Sequence, residues 1–596
     1  MNIQTRNIIT TLVVSSSSFA SFTQASSTLN PVVITATKTT QTADSTLSPV
    51  IVIGRKEIEA NQGASLANLL RLHAGIDIGQ NGGRGQSTSI FIRGTESNHT
   101  LMLIDGVKIN PGTIGGPAVQ NIRLDMIDRI EIVKGPRSTL YGSDAIGGVI
   151  NIITRKLKSG TETNASISHG SYNSSSFMLS THGSLKKARF GLTFNKENTD
   201  GFSTRTTSTT KRGYKNTSLQ SYLAFKALGA DVKLSHWTSY GNTEYLSFFL
   251  NPVDQDYRNT VTALDIKQVL SDSWVSKMKL SRIKDVIDQN QSGDFAHTTR
   301  NTLDWQHDLQ LTTNQLITAG IYISSESASA SSFGTGFNIK TDIDAVFVQD
   351  NITLGKHHII GGARFTNHQA FGDFTTWNLE YGYRFNAHWS GTLAANTGFR
   401  AADATDRFGF GGVPGLTPEE SINYELGLRY KTGPHKISLN VFDNTIDNLI
   451  VYNTGTSLNE NLEKATIKGI ELAYKYHIRH WNLSAELISQ DPKNETNGKQ
   501  LARRAKRSLT LGAEYIQPRY RIGAQLLNTS VRPDSDFSTI INSAYTLVHM
   551  TGVYNISKDL TLNGRIENLF DEKYTLANGF RTAERSYYVG LNYRFK

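Results

Sequence analysis

From about residue 158 to the C-terminus, apolar and polar residues alternate, and this period of two restricts the fold more than any other feature of the sequence. In 436–441 the apolar residues are Ile437, Leu439 and Val441, and the last strand-like stretch repeats the pattern from Tyr587. Successive side chains on a β-strand point to opposite faces, so each strand has one apolar and one polar face. Alternation over ~440 residues without helical segments argues against a fold of alternating strands and helices. At roughly 20 residues per strand and connection, it predicts ~22 antiparallel strands.

Two architectures satisfy this alternation. A soluble sandwich turns its apolar faces inward, whereas a membrane barrel turns them to lipid and its polar faces to the lumen. The last strand and an export signal at the N-terminus favour the barrel. Arg6 supplies the positive end of that signal, 8–14 is apolar, and 15–25 is rich in small residues, with cleavage expected after Ala20 or Ala25. We therefore assign residues 1–25 to a signal peptide and expect a β-barrel that crosses the outer membrane of a Gram-negative cell many times.

Composition removes several other classes of function. The chain has no cysteine, so disulfides and thiolate metal sites are excluded. The formal net charge is +10, but the basic residues are scattered and no basic reading helix accompanies them, which argues against nucleic-acid binding. We attribute this charge to loops and a lumen, and we expect polar stretches such as 205–216 and 324–332 to be outer loops.

The first part of the chain has a different pattern, that of a small α+β domain. Ser65 can cap a short helix that contains Leu66, Leu69 and Leu70 and ends at Gly75. Glycine is frequent at the turns between the strand-like stretches. The predicted strands are 89–92, 101–104, 130–133 and 149–153.

Several motifs in this first part resemble the TonB-dependent outer-membrane receptor family. They are IFIRG at 90–94, LIDGV at 103–107, VKGPR at 133–137 and YGSDAIGGVINIIT at 141–154, in the order and spacing of that family's plug domain. Further on, LTPE at 416–419 and NLFD at 568–571 resemble strand and turn motifs of the same barrels. The stretch from Asn30 to Ala36 resembles a Ton box, the short extended segment that pairs with the energising protein TonB. The resemblance therefore implies TonB contacts at Val32, Val33, Ile34, Thr35 and Ala36.

The resemblance implies an active transporter rather than an enzyme. We expect a Ton box segment at 26–40, a plug domain at 41–157 inside the lumen, and a transmembrane barrel at 158–596. TonB, driven by the proton gradient of the inner membrane, would move the plug and release a small-molecule nutrient to a periplasmic binding protein. The other expected partner is outer-membrane lipid, and the receptor is expected to be a monomer without a permanent cofactor. Candidates for plug–barrel ion pairs are Arg93, Asp105, Arg129 and Glu131.

Within the family, the plug loop QNGGRGQ at 80–86, GPRS at 135–138 and LARRAK at 501–506 are similar to the cobalamin receptors. Carried over by position, the plug contacts with the corrinoid would be Ser87, Ser89, Glu96, Ile114 and Gly115. The barrel contacts carried over in the same way are Arg503, Ser247 and Phe537.

Two features depart from the pattern of the cobalamin receptors. Those receptors bind calcium through loop aspartates, whereas the corresponding loop here, 209–216, is basic and Ser203 replaces an acidic position. Tyr245 and Asp256 remain nearby, so we expect weak or absent calcium binding, because calcium requires several oxygen ligands. The second departure is Lys596, which follows Phe595 where such barrels end on an aromatic residue.

Other functions stay open as alternatives. A ferric-siderophore receptor would suit the basic stretch 205–215. A haem receptor is disfavoured, because no histidine follows Phe399-Arg-Ala-Ala402 as far as Pro418. An adhesin or a barrel enzyme is the alternative of another class, although no zinc-protease motif, phosphate loop or nucleophile elbow accompanies the barrel pattern.

Overall fold

A computed structural model describes residues 31–61, 64–156, 160–247, 249–453, 455–535 and 538–595. The expected signal peptide, residues 26–30 of the expected Ton box segment, Phe537 and Lys596 lie outside the described residues.

The larger part of the molecule is a closed antiparallel β-barrel, which confirms the predicted fold class. Its first strand pairs with its last, with Thr163 opposite Phe595 and Gly170 opposite Tyr588. Within the described residues the barrel has 22 strands. They are Thr161–Gly170, Ser174–Leu185, Ala188–Phe202, Arg212–Ala227, Ala230–Leu246, Pro252–Ser271, Trp274–Gln289, Phe295–Thr312, Gln315–Ser332, Thr335–Leu354, His357–His368, Gly372–Arg384, Trp389–Arg400, Glu419–Thr432, His435–Asn453, Leu458–Ile478, Trp481–Asn494, Arg507–Ile516, Tyr520–Thr529, Tyr545–Asn555, Leu560–Glu567 and Ser586–Phe595.

The two ends of the barrel differ in the length of their connections. At one end the strands are joined by tight turns such as 186–187 and 228–229, and at the other end by loops that include 401–418 and 568–585. Barrels of the outer membrane keep their short turns in the periplasm and their longer loops outside. The end that carries 401–418 therefore faces the exterior.

One of the expected outer loops is strand and another is partly strand. The stretch 324–332 lies in Gln315–Ser332, and 212–216 lies in Arg212–Ala227, so that only 203–211 is a loop. These strands extend above the lipid, where both faces meet water or protein. The apolar half of the alternation is therefore lost there, although the strand continues.

The N-terminal part folds into a plug with its own core. The plug consists of a five-stranded sheet, a hairpin and short helices, and its cluster of buried apolar residues extends to Trp237, Val261 and Ile283 of the barrel wall. The predicted helix begins after Ser65, whose side chain accepts a hydrogen bond from the Asn68 amide at 3.1 Å. Within the described residues, no helix is long and apolar enough to cross a membrane.

The four strands predicted in this part are present. The sheet has the strand order Val50–Ile53, Ile127–Lys134, Gly148–Thr154, Thr100–Ile104 and Val107–Lys108, and the hairpin is Ile76–Gln80 with Thr88–Ile92. The helices are Arg55–Ala60, Leu66–Leu70, Ser138–Tyr141 and, in an outer loop of the barrel, Ala404–Phe408. Single turns of 3-10 helix are Ala43–Ser45, Ser97–His99, Val119–Asn121 and Leu124–Met126, and short paired strands are Val32–Val33 with Gln41–Thr42 and Arg532–Pro533 with Ile541–Asn542.

Candidate functional site

The outer loop of the plug at 110–116 is held from two sides by the barrel. The amides of Ala404 and Thr405 donate to the carbonyls of Gly112 and Thr113 at 3.0 and 2.9 Å. On the other side, the Arg300 guanidinium donates to the Asn110 carbonyl at 2.7 Å. The loop is therefore a fixed platform at the outer face of the plug.

Ile114 and Gly115, two of the predicted contacts, lie on this platform. The Ile114 side chain is 47% exposed. Gly115 has a φ of +64°, and a Cβ there would lie 2.9 Å from an Asp403 carboxylate oxygen, so a larger residue would be strained in this turn. The platform thus presents one apolar side chain beside bare backbone.

Buried charges beneath the platform fix the loop that holds it. The Arg400 guanidinium pairs with Glu419 at 3.1 Å and with Asp403 at 2.9 Å, and Glu419 also lies 2.8 Å from His99 of the plug. Burial, together with the nearby Asp406 carboxylate, raises the pKa of Asp403. This network joins the plug to the loop 401–418 and leaves none of its charges isolated.

A second part of the outer face is the hairpin loop 81–87, which contains the predicted contact Ser87 and leads into the strand Thr88–Ile92, which contains Ser89. The Gln86 side chain donates to the Glu244 carbonyl of the wall at 2.7 Å. Gly85 has a φ of +76° and lies so close to the Tyr214 ring that a Cβ would be 2.1 Å from it. The loop therefore lies flat on the barrel wall, with Ser87 exposed and Ser89 half-buried.

The predicted contacts Glu96 and Arg503 come together with a third loop system. Glu96 pairs with Arg504, whose guanidinium stacks over the Phe91 ring at 4.7 Å. The Arg503 side chain donates to the Asp534 carbonyl at 3.1 Å. Arg503 and Glu96 are therefore both held in place, and neither side chain is free to rotate away.

Asp534 joins three outer loops, and sequence reasoning did not identify it. Its carboxylate accepts hydrogen bonds from the Asn542 side chain at 2.9 Å and from the Asn578 amide at 2.7 Å. With its carbonyl bonded to Arg503, it links 501–506, 530–544 and 568–585. The predicted contact Ser247 lies apart in the loop 247–251, where its hydroxyl accepts from the Asn251 amide at 3.2 Å.

The predicted ion pairs between plug and barrel are present for two of the four residues. Arg93 pairs with Glu425 at 3.0 Å and with Glu471 at 2.8 Å, and all three side chains are buried. Asp105 pairs with Lys233 of the wall at 3.2 Å, and also with Lys156 of the plug at 3.3 Å. Burial opposes ionisation of Asp105, but these lysines and the Thr154 amide outweigh it and lower its pKa.

The expectation for Arg129 and Glu131 was wrong, because these two residues pair with each other inside the plug at 2.7 Å. They stand at alternate positions of one plug strand, so their side chains share a face and lie close enough to pair.

Sequence reasoning also missed the acidic residues of the wall that face the plug. Glu380, Glu425, Glu471 and Glu486 lie on four strands of the barrel and are buried against the plug. Their partners are plug cations, including Arg137 at 2.8 Å from Glu380, Lys134 at 2.8 Å from Glu471 and His73 at 3.5 Å from Glu486. A signal was available, because Glu425 and Glu471 are each flanked by large apolar residues on both sides, which places them on the inward face.

His73 has the clearest electrostatic signature in this interface. Its ring lies 3.5 Å from both Glu57 and Glu486. Burial lowers the pKa of His73, but the two carboxylates outweigh burial and raise it to about 9. The plug therefore carries an additional positive charge at neutral pH.

The segment 32–36, for which the resemblance implies TonB contacts, is folded against the plug at the periplasmic end. Val32–Val33 pairs with Gln41–Thr42, and the Thr35 side chain is completely buried. One oxygen of Glu131 accepts hydrogen bonds from the amides of Ile34 and Thr35, both at 3.0 Å, and from the Thr35 hydroxyl at 2.6 Å. The segment is thus not a free strand in this state, and it must leave Glu131 before its backbone can pair with another protein.

A further ion pair holds the chain that follows this segment. Lys38 donates to the Asp304 carboxylate of the wall at 2.8 Å, and its ammonium group lies 4.5 Å from the centre of the Phe347 ring. The stretch that resembles a Ton box ends at Ala36 and gives no signal for this pair.

Near Tyr245 and Asp256, where the resemblance led us to consider calcium, the outer ends of neighbouring strands are joined by hydrogen bonds from amide side chains. Asp254 accepts hydrogen bonds from Asn242 at 2.6 Å and from Asn290 and Gln291 at 2.5 Å. In the described residues, no three histidine, aspartate or glutamate side chains are grouped so that they could hold a metal ion. Weak calcium binding stays a prediction that a binding experiment must decide.

Sequence profiles of two families match the chain. "TonB-dependent Receptor Plug Domain" matches residues 42–149, and "TonB dependent receptor-like, beta-barrel" matches residues 157–569. Among curated proteins, the chain is 30% identical to the vitamin B12 transporter BtuB of Vibrio vulnificus, covering 95% of this chain and 96% of that one. It is 29% identical to BtuB of Photobacterium profundum over 95% of both chains.

Solved structures show the same fold at lower identity. The ferric enterobactin receptor PfeA of Pseudomonas aeruginosa superposes with a TM-score of 0.80 at 18% identity, covering 95% of this chain and all of that one. The siderophore receptor PirA of Acinetobacter baumannii gives a TM-score of 0.77 at 18% identity, covering 92% and 98% of the two chains. With its plug inside a 22-stranded barrel and both family profiles matched in order, the chain belongs to the TonB-dependent receptor family of the outer membrane.

Proposed function

We propose that this receptor imports cobalamin or a related corrinoid across the outer membrane, with energy from TonB. The observation that carries the proposal is the identity of about 30% to vitamin B12 transporters over 95% of the chain, plug and barrel included. Solved siderophore receptors share the fold at 18% identity, and at that distance only the fold is informative.

The outer face offers groups that suit a corrinoid, whose rim carries amide side chains around an apolar ring system. The Ser87 hydroxyl and the Arg503 guanidinium would hydrogen-bond amides, and Ile114 would contact the ring. Gly115 allows close approach of the ligand to the plug backbone. The ion pairs and backbone contacts behind these groups hold them in place, which lowers the entropy cost of binding.

Energy coupling would use the segment 32–36. TonB would pair with it as an added strand, which requires its release from Glu131. Many contacts between plug and wall are ion pairs and hydrogen bonds, which water can replace as the plug rearranges. The ligand would then pass into the periplasm, where a binding protein would receive it.

A ferric-siderophore receptor is the second candidate, because two outer loops bring basic residues together. The Arg205 guanidinium stacks on the Phe580 ring at 3.8 Å, and Arg581 donates to the Arg205 carbonyl at 3.2 Å. Lys211, which is exposed, lies at the end of the same loop. Such a group would attract an anionic ferric chelate.

Binding of cyanocobalamin to the refolded receptor, with and without calcium and beside ferric enterobactin, tests the proposal. Ile114→Asp should weaken cobalamin binding at least 10-fold, because it places a charge against the ring. Ile556→Asp is the matched control, since Ile556 is also 47% exposed but lies in a periplasmic turn. Deletion of residues 30–38 should abolish uptake by cells and leave binding intact. Tight binding of the ferric chelate alone would replace cobalamin with a siderophore as the ligand.

A further inference from the structure

The lipid-facing surface of the barrel carries three cations that have no acidic partner. Arg258 lies on Pro252–Ser271, and Arg282 and Lys284 lie on the adjoining strand Trp274–Gln289. All three alternate with buried residues, so their side chains point outward, and all three are exposed. In the described part of the chain, Arg282 and Lys284 make no ion pair or hydrogen bond, and Arg258 contacts only the Tyr240 ring, at 5.6 Å.

Strand register places the three cations together. Lys284 lies opposite Thr260, which is two residues from Arg258, and Arg282 lies opposite Thr262. Residues diagonal to one another across an antiparallel pair are about 7–8 Å apart, and residues two apart on one strand are about 7 Å apart. Side chains as long as those of arginine and lysine can therefore converge on a single anionic group.

Their depth corresponds to the boundary of the outer leaflet. Immediately below them, Leu264, Leu280 and Leu303 form an apolar row in register. Trp274 marks the periplasmic side of the same strand, and the eight residues from Trp274 to Arg282 cover about 27 Å of strand, or about 20 Å of membrane at the usual tilt. The apolar band of such barrels is about 25 Å tall, so Arg282 lies about 5 Å below its outer edge, within reach of the lipid headgroups for a side chain as long as arginine.

Elsewhere on the outer surface, two exposed lysines are paired with acids. Lys468 pairs with Asp443 at 3.1 Å, and Lys506 pairs with Asp491 at 2.6 Å. The acids nearest to the three cations are already engaged, because Asp288 pairs with His297 at 2.6 Å and Asp256 accepts from Asn242 at 2.8 Å. The group formed by Arg258, Arg282 and Lys284 is therefore left without a counter-charge from the protein.

We propose that Arg258, Arg282 and Lys284 form a binding site for the phosphate group of a phosphorylated glycolipid in the outer leaflet. A phosphate accepts several charge-assisted hydrogen bonds and matches the fork of the arginine guanidinium. The lipid chains would lie along the apolar row of Leu264, Leu280 and Leu303. Charge complementarity and continuity with this apolar surface favour a lipid over a soluble anion.

Native mass spectrometry of the whole receptor in detergent, titrated with bis-phosphorylated lipid A, tests this site. The triple variant Arg258→Gln, Arg282→Gln, Lys284→Gln should bind lipid A about 100-fold more weakly. Each lost cation weakens binding about 5-fold, and the three factors multiply. Lipid A stripped of its phosphates should bind the native receptor as weakly as lipid A binds the triple variant. If the triple variant does not fold, as judged by heat-modifiable gel mobility, Lys284→Gln alone should still lose about 5-fold.

The control removes the same charge elsewhere on the outer surface, through Lys464→Gln, Lys468→Gln and Lys506→Gln, and should bind lipid A as the native receptor does. Equal lipid A affinity in the native receptor and the triple variant would overturn the proposal, as would an equal loss in the control. Tight binding of inorganic phosphate that lipid A does not exceed would also overturn it, because the site would then serve a soluble anion.

Discussion

Glu131 should control how often the segment 32–36 leaves the plug, and Glu131→Gln should raise that frequency. One carboxylate oxygen accepts three hydrogen bonds from Ile34 and Thr35, and the other faces Arg129 at 2.7 Å. A glutamine has one oxygen and one NH₂ group, so it can satisfy either the segment or Arg129 but not both. Hydrogen bonds to a charged group contribute about 1.5–3 kcal/mol each and those to a neutral group about 1 kcal/mol. The variant should therefore lose about 2–3 kcal/mol of docking free energy, which corresponds to a roughly 30- to 150-fold larger undocked fraction.

A single cysteine can measure this fraction, since the native chain has none. Val33 is completely buried in the docked segment, so Val33→Cys should react with a maleimide only after release. The rate of modification in the purified receptor then reports the undocked fraction. Glu131→Gln should raise the rate of modification roughly 30- to 150-fold. The increase is smaller only if undocking no longer limits the reaction.

Asp128→Asn is the matched control for this experiment. It removes a carboxylate from the same plug strand, but Asp128 contacts only Arg129, at 3.5 Å, and is half-exposed. Its rate should equal that of the Val33→Cys parent. Equal rates in the glutamine variant and the control would refute the reasoning, because the contacts to Glu131 would then contribute nothing to docking.

Three further predictions concern the plug interface and the outer loops. Arg93→Ala should destabilise the plug by about 3–5 kcal/mol in urea titrations, because it leaves Glu425 buried without its ion-pair partner and Glu471 with Lys134 alone, and an unchanged midpoint would contradict this. His73 has a raised pKa, so its charge stabilises the fold fully below pH 6.5, and this contribution is lost as pH rises through about 9. The urea midpoints of the native receptor and His73→Gln should therefore converge between pH 7 and pH 10, whereas a gap that persists at pH 10 would exclude the charge as its cause. Calorimetry should find calcium binding weaker than about 1 mM, because amide groups already occupy the Asp254 oxygens, and a micromolar site would contradict this.

The sequence predicted those parts of the fold that depend on residues close together in the chain. Alternation with a period of two reports that each strand has one apolar and one polar face, so the strands and their number followed from it, and the export signal and the last strand favoured the barrel over a sandwich. The rule failed in 324–332 and 212–216, because strands above the lipid have no apolar face to reveal them. The cap at Ser65 was visible for the same local reason, since a capping side chain and its helix are adjacent in the chain.

The site was only partly predictable, because its contacts join residues far apart in sequence. The resemblance proposed Ile114, Gly115 and Arg503 as contacts, but nothing local indicates that Asp534 holds Arg503. Lys38 and Asp304 are separated by 266 residues, and only the closed barrel brings them together. Arg129 and Glu131 show the opposite error, in which two charges were assigned to an interface although they lie side by side on one strand.

The order of strands in the plug sheet has a mechanical consequence. Once the segment 32–36 has left Glu131, a force applied at residue 31 reaches this sheet through Val50–Ile53, which is its edge strand and pairs only with Ile127–Lys134. Such a force peels a four-residue strand away one hydrogen bond after another, instead of shearing the whole sheet at once. We expect pulling from residue 31 in a single-molecule experiment to release this edge first, at low force, while the other four strands stay folded, and a single high-force rupture of the whole plug would exclude it. A short opening along one side of the lumen would then require far less work than extraction of the plug.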